Sequence, residues 1–214
     1  MLLHLRSLSE AVDLPINADS ESGFAADPDG VATNVALAIQ TGVAGLSIED
    51  RKVEAPFGLY DKTLAIERIR AARTSIDQSG SNIVLVARTE GLLNDPGAIT
   101  PAIDKLVAFA EAGADCLYAP GVQKKRDIAA MVRAVAPKPV NVLVMGPGFT
   151  VAELADLGVR RISVGDAPSQ VSWAAVLSAA EKMKAGFFDG LALGTPGRVL
   201  NDNFSKFAEK NHGP

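Results

Sequence analysis

The chain has 214 residues, and its 21 Lys and Arg against 25 Asp and Glu give a net charge of −4. Hydrophobic residues make up 48% of the sequence, which is enough for one folded domain with a core and excludes intrinsic disorder as the main state. No basic stretch carries interleaved aromatic residues, so we expect no nucleic-acid partner.

The few cysteine and histidine residues indicate the cellular compartment and limit which side chains could carry out catalysis. A single cysteine, Cys116, cannot form an internal disulfide, and no apolar run reaches membrane-spanning length, so we expect a cytoplasmic protein without a membrane partner. The two histidines, His4 and His212, lie at the ends of the chain. This placement argues against a catalytic triad or a multi-histidine metal site. The groups that remain as candidates for catalysis are carboxylates, Arg, Lys, hydroxyls or a bound cofactor.

Short apolar segments alternate with helical patterns six times along the chain. The segments are residues 14–18, 46–48, 83–87, 116–119, 140–144 and 162–164. Because they are almost continuously apolar, they are typical of parallel strands that are covered on both faces. The sequence therefore predicts an α/β fold of six βα units, with an open or a closed sheet.

Local signals mark where the helices between these strands begin and end. Thr150 and Glu153 form a capping-box pattern, and Thr100 followed by Pro101 predicts the start of another helix. Three helix-to-strand junctions open with a glycine suited to the left-handed conformation: Gly42, Gly113 and Gly158.

Polar residues follow or interrupt the predicted strands, where ligands meet the sheet in βα folds. They are Asp19 and Glu21, Glu49 and Asp50, Arg88 and Glu90, Asn141, and Asp166. Clustered carboxylates repel each other unless a cation lies among them, and Mg²⁺ prefers such oxygen ligands. Arg88 offers a bidentate partner for a carboxylate or enolate, and Asn141 is unusual inside a buried strand.

Each of these residues also has a purely structural interpretation. Asp19 and Glu21 could be turn or N-cap residues before the helix that begins near Pro28. Glu49 and Asp50 could begin a solvated loop, and Arg88 could form a structural ion pair with Glu49.

Three segments resemble motifs of one known family. Residues 14–24 (LPINADSESGF) are similar to its metal-binding motif, residues 42–50 (GVAGLSIED) to its Glu-Asp strand, and residues 86–90 (VARTE) to its Ala-Arg-Thr-Asp/Glu motif. The family is the isocitrate lyase/phosphoenolpyruvate mutase superfamily of (β/α)₈ barrels. The resemblance covers roughly residues 12–185 and implies a TIM-type barrel with about six βα units in this chain.

The resemblance also assigns roles to the residues at the strand ends. It implies Mg²⁺ as the cofactor, with Asp19 as its principal ligand and with Glu21 and Glu49 holding metal-bound waters. It implies Arg88, Glu49 and Asn141 as the catalytic residues that face a small 2-oxo-acid or phosphonate substrate.

The implied activity is a Mg²⁺-dependent lyase reaction that cleaves a C–C or C–P bond through a pyruvate enolate, as in oxaloacetate decarboxylation or phosphonopyruvate hydrolysis. The alternatives are a phosphoenolpyruvate or carboxyphosphonoenolpyruvate mutase, and a non-catalytic family member. Residues 51–58 contain no cysteine or histidine, whereas the family's isocitrate-type lyases carry a catalytic cysteine in this loop, so we expect no isocitrate-type cleavage.

The domain organisation follows from the same comparison. We expect a partial barrel over residues 1–185 and a helical tail over residues 186–214, with the family's first two βα units not recognisable in this chain. Leu200, Phe204 and Phe207 share one helical face of the tail. Because a C-terminal helix is swapped between subunits in this family, we expect a homo-oligomer, either a dimer or a tetramer.

Overall fold

The computed structural model describes residues 1–52 and 54–211, without the side chains of residues 56, 57, 193 and 206–211. The helices are α1 (Leu2–Ala11), α2 (Pro28–Ile39), α3 (Lys62–Ser79), α4 (Gly91–Asn94), α5 (Ile99–Glu111), α6 (Lys125–Val135), α7 (Val151–Asp156), α8 (Ala167–Lys184) and α9 (Gly197–Asn211), with a 3₁₀ turn at Asp189–Leu193. The strands are β1 (Asn17–Asp19), β2 (Gly45–Glu49), β3 (Arg51–Lys52), β4 (Ala55–Leu59), β5 (Val84–Arg88), β6 (Cys116–Tyr118), β7 (Val140–Leu143) and β8 (Arg161–Ser163).

Six strands form one parallel sheet in the order β1-β2-β5-β6-β7-β8, which is also their order along the chain. Parallel neighbours that follow chain order, joined by helical crossovers, are the arrangement of a TIM-type barrel, here with six of the eight strands. The predicted fold class is confirmed. The first strand begins later than predicted, at Asn17, since Pro15 has no N–H for the ladder and Leu14 is exposed.

The central strands β2, β5, β6 and β7 are buried on both faces, which explains why they are almost continuously apolar, whereas the edge strands β1 and β8 are partly exposed. Alternate residues such as Leu46, Leu85 and Leu117 belong to the main core, which also contains buried residues of the surrounding helices. The intervening residues Val86 and Tyr118 belong to a smaller cluster on the other face, the barrel interior. The site described below lies on this interior face.

The predicted helix ends are mostly confirmed. The Thr150 side chain and Glu153 form the complete capping box of α7, and the three junction glycines have φ values of 83°, 104° and 88°. The predicted start at Thr100 is wrong: α5 begins at Ile99, with Ala98 as an N-cap that makes no side-chain hydrogen bond. Pro101 still lies in the first turn, where its missing N–H costs nothing.

A two-stranded antiparallel hairpin of β3 and β4 follows directly after β2. Its two strands, Arg51–Lys52 and Ala55–Leu59, lie in the segment in which the sequence lacks the cysteine of the isocitrate-type lyases. Arg51 lies on this hairpin and contacts carboxylates at the strand ends.

The described chain divides into two compact units. The first comprises Met1–Val144 and Gly148–Ser163 and contains the whole sheet; the second comprises Met145–Pro147 and Val164–Pro214. The second unit includes α8, which the predicted boundary at 185/186 places with the barrel. The division into a catalytic domain and a tail stays a prediction.

The helices of the second unit carry many exposed apolar side chains. Trp173 is 62% exposed, Phe188 70% and Phe204 70%. The side chain of Phe207, which completes the predicted apolar stripe, lies outside the described residues. None of the described helices is both long and apolar enough to cross a membrane.

Candidate functional site

The strand register aligns one residue from each of five neighbouring strands. Glu49 on β2 pairs with Arg88 on β5, which pairs with Tyr118 on β6. Tyr118 pairs with Asn141 on β7, which pairs with Arg161 on β8. Because partnered residues of parallel strands point to the same face, these five side chains form one row on the interior face, which we call the interior row. The three residues predicted as catalytic all belong to it.

Arg88 lies among three carboxylates. Its Nε donates to Glu90 Oε1 and lies 3.3 Å from Glu49 Oε2, while one terminal nitrogen lies 3.5 Å from Asp19 Oδ2. The guanidinium is also 5.2 Å from the centre of the Tyr118 ring, and the face of an aromatic ring attracts a positive charge. Burial alone would lower the pKa of Arg88, but the hydrogen bond to Glu90 and the charges of Glu90 and Glu49 raise it above the ordinary arginine value. Arg88 is therefore a fixed positive charge at the strand ends.

Glu49 is buried beside this arginine. Burial raises its pKa to about 7; the charges of Glu90 and Asp19 add to the rise, while Arg88 and Arg51 oppose it. The interpretation of Glu49 as the start of a solvated loop is wrong, because its side chain is only 9% exposed. Glu49 does form the predicted ion pair with Arg88. This ion pair holds the arginine in place, and it does not exclude a catalytic role for either residue.

Asp19 and Glu21 differ in what they contact. Asp19 has a 63% exposed side chain and accepts hydrogen bonds from Ser47 Oγ at 3.1 Å and from the Glu21 backbone N–H at 3.3 Å. Glu21 is exposed in a turn with φ of 48°, and its carboxylate makes no ion pair with any described residue. The structure thus brings Asp19, Glu49 and Arg88 together and does not bring the Glu21 carboxylate into contact with them.

The donors at these strand ends are all oxygens, which is the chemistry that Mg²⁺ requires. Across the described residues, no three His, Cys, Asp or Glu side chains are grouped to hold a metal ion. Mg²⁺ often takes only one or two protein carboxylates and keeps waters for its other positions. The exposed carboxylate of Asp19 fits such a role, and the magnesium site stays a prediction centred on that residue.

Buried polar contacts beneath the site hold the strand ends in place. Asp50 accepts hydrogen bonds from Thr89 Oγ1 at 2.8 Å, from the Glu90 backbone N–H at 2.9 Å and from Lys105 Nζ at 2.5 Å. Asp50 is 1% exposed, so it too is not part of a solvated loop. The contact between Asp50 and the Glu90 backbone fixes Glu90, whose carboxylate accepts a hydrogen bond from Arg88.

Arg68 on α3 supports the first two strand ends from the helix side. This fully buried arginine donates to the backbone oxygens of Glu49 at 3.2 Å and Ala25 at 2.9 Å, and also to that of Ser22. Its guanidinium lies 4.1 Å from the centre of the Tyr60 ring. Arg68 therefore ties the loop after β1 to the end of β2.

Asn141 is fully buried in the interior row, between Tyr118 and Arg161. Its Nδ2 donates to Ser163 Oγ at 2.9 Å. Burial raises the pKa of the Tyr118 hydroxyl, and the nearby Ser163 opposes part of that rise. Asn141 Oδ1 is buried without a hydrogen-bond partner among the described residues. An unpartnered buried acceptor is costly, and at a site it indicates a position that a ligand or water completes.

Sequence reasoning did not assign site roles to Tyr118, Ser163 or Arg161. Tyr118 and Arg161 belong to the interior row, and Ser163 lies two residues after Arg161 on the same face of β8. The sequence pattern that could have identified them is the alternation of side chains between the two faces of a strand, because each of these three residues lies an even number of residues from another interior position of its strand. That pattern becomes useful only when the register between strands is known.

Comparison with known proteins supports the family that the sequence motifs indicated. A family model described as phosphoenolpyruvate phosphomutase matches residues 1–184. A solved structure of a Burkholderia cenocepacia J2315 protein, whose own lyase/mutase assignment is provisional, is 40% identical with a TM-score of 0.90, over 95% of this chain and 74% of that one.

Two curated relatives are similar over most of this chain. An uncharacterized protein of Mycobacterium tuberculosis (strain ATCC 25618 / H37Rv) is 33% identical over 172 residues, which are 80% of this chain and 62% of the relative. The oxaloacetate decarboxylase of Rhodopseudomonas palustris (strain BisB18) is 29% identical over 195 residues, which are 85% of this chain and 63% of that enzyme. The chain thus spans somewhat less than two thirds of these relatives, and it belongs to the phosphoenolpyruvate mutase/isocitrate lyase family.

Proposed function

We propose that this protein is a Mg²⁺-dependent lyase that cleaves the C–C bond beta to the carbonyl of a small 2-oxo acid, with oxaloacetate decarboxylation as the reaction to test first. The observation that carries the proposal is the position of Arg88. It is a fixed cation at the strand ends, in contact with Glu49, Glu90 and Asp19, and in the same row as Asn141. A cation held in this way is suited to a substrate whose oxo oxygen becomes negative during the reaction.

The reaction places that negative charge on one atom. When the bond between C3 and the leaving carboxylate breaks, CO₂ departs and the bonding electron pair moves into the enolate of pyruvate. Arg88 stabilises the enolate oxygen, and a proton from solvent then bonds to C3 to give pyruvate. Glu49 and Glu90 keep the guanidinium in place, so little reorganisation is needed as the charge develops.

The magnesium ion would be held by Asp19, with Glu21 and Glu49 on its waters. When bound it would supply Lewis-acid polarisation of the substrate's oxo group. Such chemistry needs no histidine or cysteine, in agreement with the composition of residues 51–58. The oxaloacetate decarboxylase relative supports this choice of reaction over the mutase alternative.

The test is pyruvate release from oxaloacetate with Mg²⁺, measured against the rate with Mg²⁺ alone. We expect catalysis above that background, and we expect Arg88→Gln to remove at least 100-fold of it, because a buried charge on the enolate typically contributes about 3–4 kcal/mol. Arg126→Gln is the matched control, since Arg126 is exposed and, among the described residues, forms an ion pair only with its neighbour Asp127 at 3.2 Å.

Parallel assays separate the other reactions of the family. Phosphonopyruvate tests C–P cleavage, and its conversion to phosphoenolpyruvate tests the mutase alternative. A rate with oxaloacetate equal to the Mg²⁺ background, from a protein with native circular dichroism, would contradict the proposed function and favour a non-catalytic family member.

A further inference from the structure

Arg161 occupies the last position of the interior row. It pairs in register with Asn141, and it lies two residues before Ser163, whose hydroxyl accepts a hydrogen bond from Asn141. Residues two apart in a strand face the same side, so Arg161 faces the barrel interior. Its charge also reaches the interior thiol of Cys116: burial raises the pKa of that thiol, and Arg161 offsets part of the rise.

Arg161 is a half-buried cation without a counter-ion in the described part of the chain. No Asp or Glu oxygen of the described side chains lies within 4 Å of its guanidinium, whereas Arg88 in the same row contacts three carboxylates. The preceding arginine, Arg160, is exposed and donates to the backbone oxygens of Val159 at 3.0 Å and Ala155 at 3.4 Å. An unpaired charge on a partly buried face is unfavourable, and an anionic ligand would relieve it.

A second, independent observation lies at the neighbouring position. Asn141 Oδ1 is fully buried and has no hydrogen-bond donor among the described residues. The row therefore ends in a cation that lacks an anion, next to an acceptor that lacks a donor. Both requirements are met by a ligand that brings an anionic group to Arg161 and a hydroxyl group or water to Asn141.

We propose that Arg161 binds the second anionic group of the substrate, so that the site selects small acids with two anionic groups over those with one. This deepens the proposed function, in which Arg88 binds the oxo-acid end. Arg88 and Arg161 lie three strands apart, roughly 14 Å along the sheet, which leaves room for a four-carbon diacid between their side chains. Arg161 is then a specificity-determining residue, and removing its charge affects diacids alone.

The experiment compares two stable ligands that differ by one carboxylate. L-malate has a carboxylate at each end, and 2-hydroxybutanoate has a methyl group in place of the second one. Isothermal titration calorimetry with the full chain and Mg²⁺ gives the affinity of both without any turnover. We expect the native protein to bind malate at least tenfold more tightly than 2-hydroxybutanoate, and Arg161→Gln to remove that preference while leaving the affinity for 2-hydroxybutanoate within twofold.

Two further variants make the result specific. Arg161→Lys keeps the charge and is expected to retain part of the preference for malate. Arg160→Gln changes the adjacent arginine, whose hydrogen bonds go to backbone oxygens, and is expected to change neither affinity.

The inference is overturned if the native protein shows no preference for malate, including no binding of either ligand. It is also overturned if Arg161→Gln weakens both ligands equally, or if Arg160→Gln removes the preference as fully as Arg161→Gln does. Because binding is measured without reaction, a preference that depends on Arg161 in a protein with no oxaloacetate turnover supports the inference and contradicts only the proposed reaction.

Discussion

The buried ion pair between Lys105 and Asp50 provides a quantitative test of how the site is held together. Lys105 on α5 reaches the Asp50 carboxylate at the end of β2, with 2.5 Å between Nζ and Oδ2. The two side chains are 15% and 0% exposed. In Lys105→Met the apolar stem is retained and the charge is removed, so the Asp50 carboxylate stays buried without its cation.

The size of the effect follows from what Asp50 retains. Removing one partner of a buried pair costs about 3–5 kcal/mol. Asp50 keeps two hydrogen bonds, from Thr89 Oγ1 and the Glu90 backbone N–H, which partly stabilise the carboxylate. We therefore expect the lower end, a loss of about 3 kcal/mol from a typical free energy of unfolding of about 5–15 kcal/mol. For a chain of this length that loss lowers the melting temperature by roughly 6–12 °C.

Urea unfolding followed by circular dichroism measures the change, read from the midpoint at constant m-value. Lys125→Met is the matched control, because Lys125 pairs with Glu153 at the same distance of 2.5 Å but with side chains 55% and 41% exposed. We expect its midpoint to stay close to that of the native protein, since exposed pairs contribute little. If Lys105→Met shifts the midpoint no more than Lys125→Met, burial does not decide the strength of these pairs and the reasoning is refuted.

Three further predictions follow from the described contacts. Asp19→Asn is expected to abolish Mg²⁺-dependent activity, because it removes the proposed metal ligand. Its circular dichroism is expected to stay native, because Asp19 is an exposed strand-end residue; unchanged turnover would contradict the metal assignment. A chain ending at Ala185 is expected to lose the oligomeric state of the full chain in light scattering, because it lacks the exposed apolar residues of the tail; an identical state would show that the tail is not an interface. Hydrogen bonds from Lys125 and Thr150 lower the pKa of Glu153 to about 2; because solvent screens these exposed contacts, the stabilisation is small, is present above the ordinary value of 4.5 and is lost as the pH falls towards 2. The difference in urea midpoint between the native protein and Glu153→Gln should therefore shrink between pH 4.5 and pH 2, and a constant difference would exclude this linkage.

Local patterns in the sequence were sufficient for an α/β fold with six parallel strands, whereas the TIM-type barrel was predicted from the resemblance to the family. Parallel strands covered on both faces must be apolar along their whole length, so the six segments were visible without any knowledge of their partners. The capping box at Thr150 and the glycine at Gly158 likewise depend only on neighbours within a few residues. The start of α5 was misplaced because Thr100 has the right type for an N-cap, but its hydroxyl does not cap the helix observed there.

The strand-end rule also identified Asp19, Glu49 and Arg88 as neighbours, since the carboxyl ends of parallel strands meet at one edge of a sheet. The sequence could not show which partners each carboxylate takes. Asp50 is buried because Lys105, 55 residues away in sequence, reaches it from α5. Such a contact depends on how a helix packs against the sheet, which no local pattern encodes.

The register between strands was decided by the tertiary structure alone. Arg161 has no unusual feature in the sequence, yet its pairing with Asn141 places it in line with Arg88 and Tyr118 on the interior face. A shift of one residue in any of these strands would turn its side chain towards the helices instead. The sequence by itself therefore determined which segments form the sheet, while the packing of all six strands and their helices selected the side chains that share the site, because register is fixed by contacts between segments far apart in the chain.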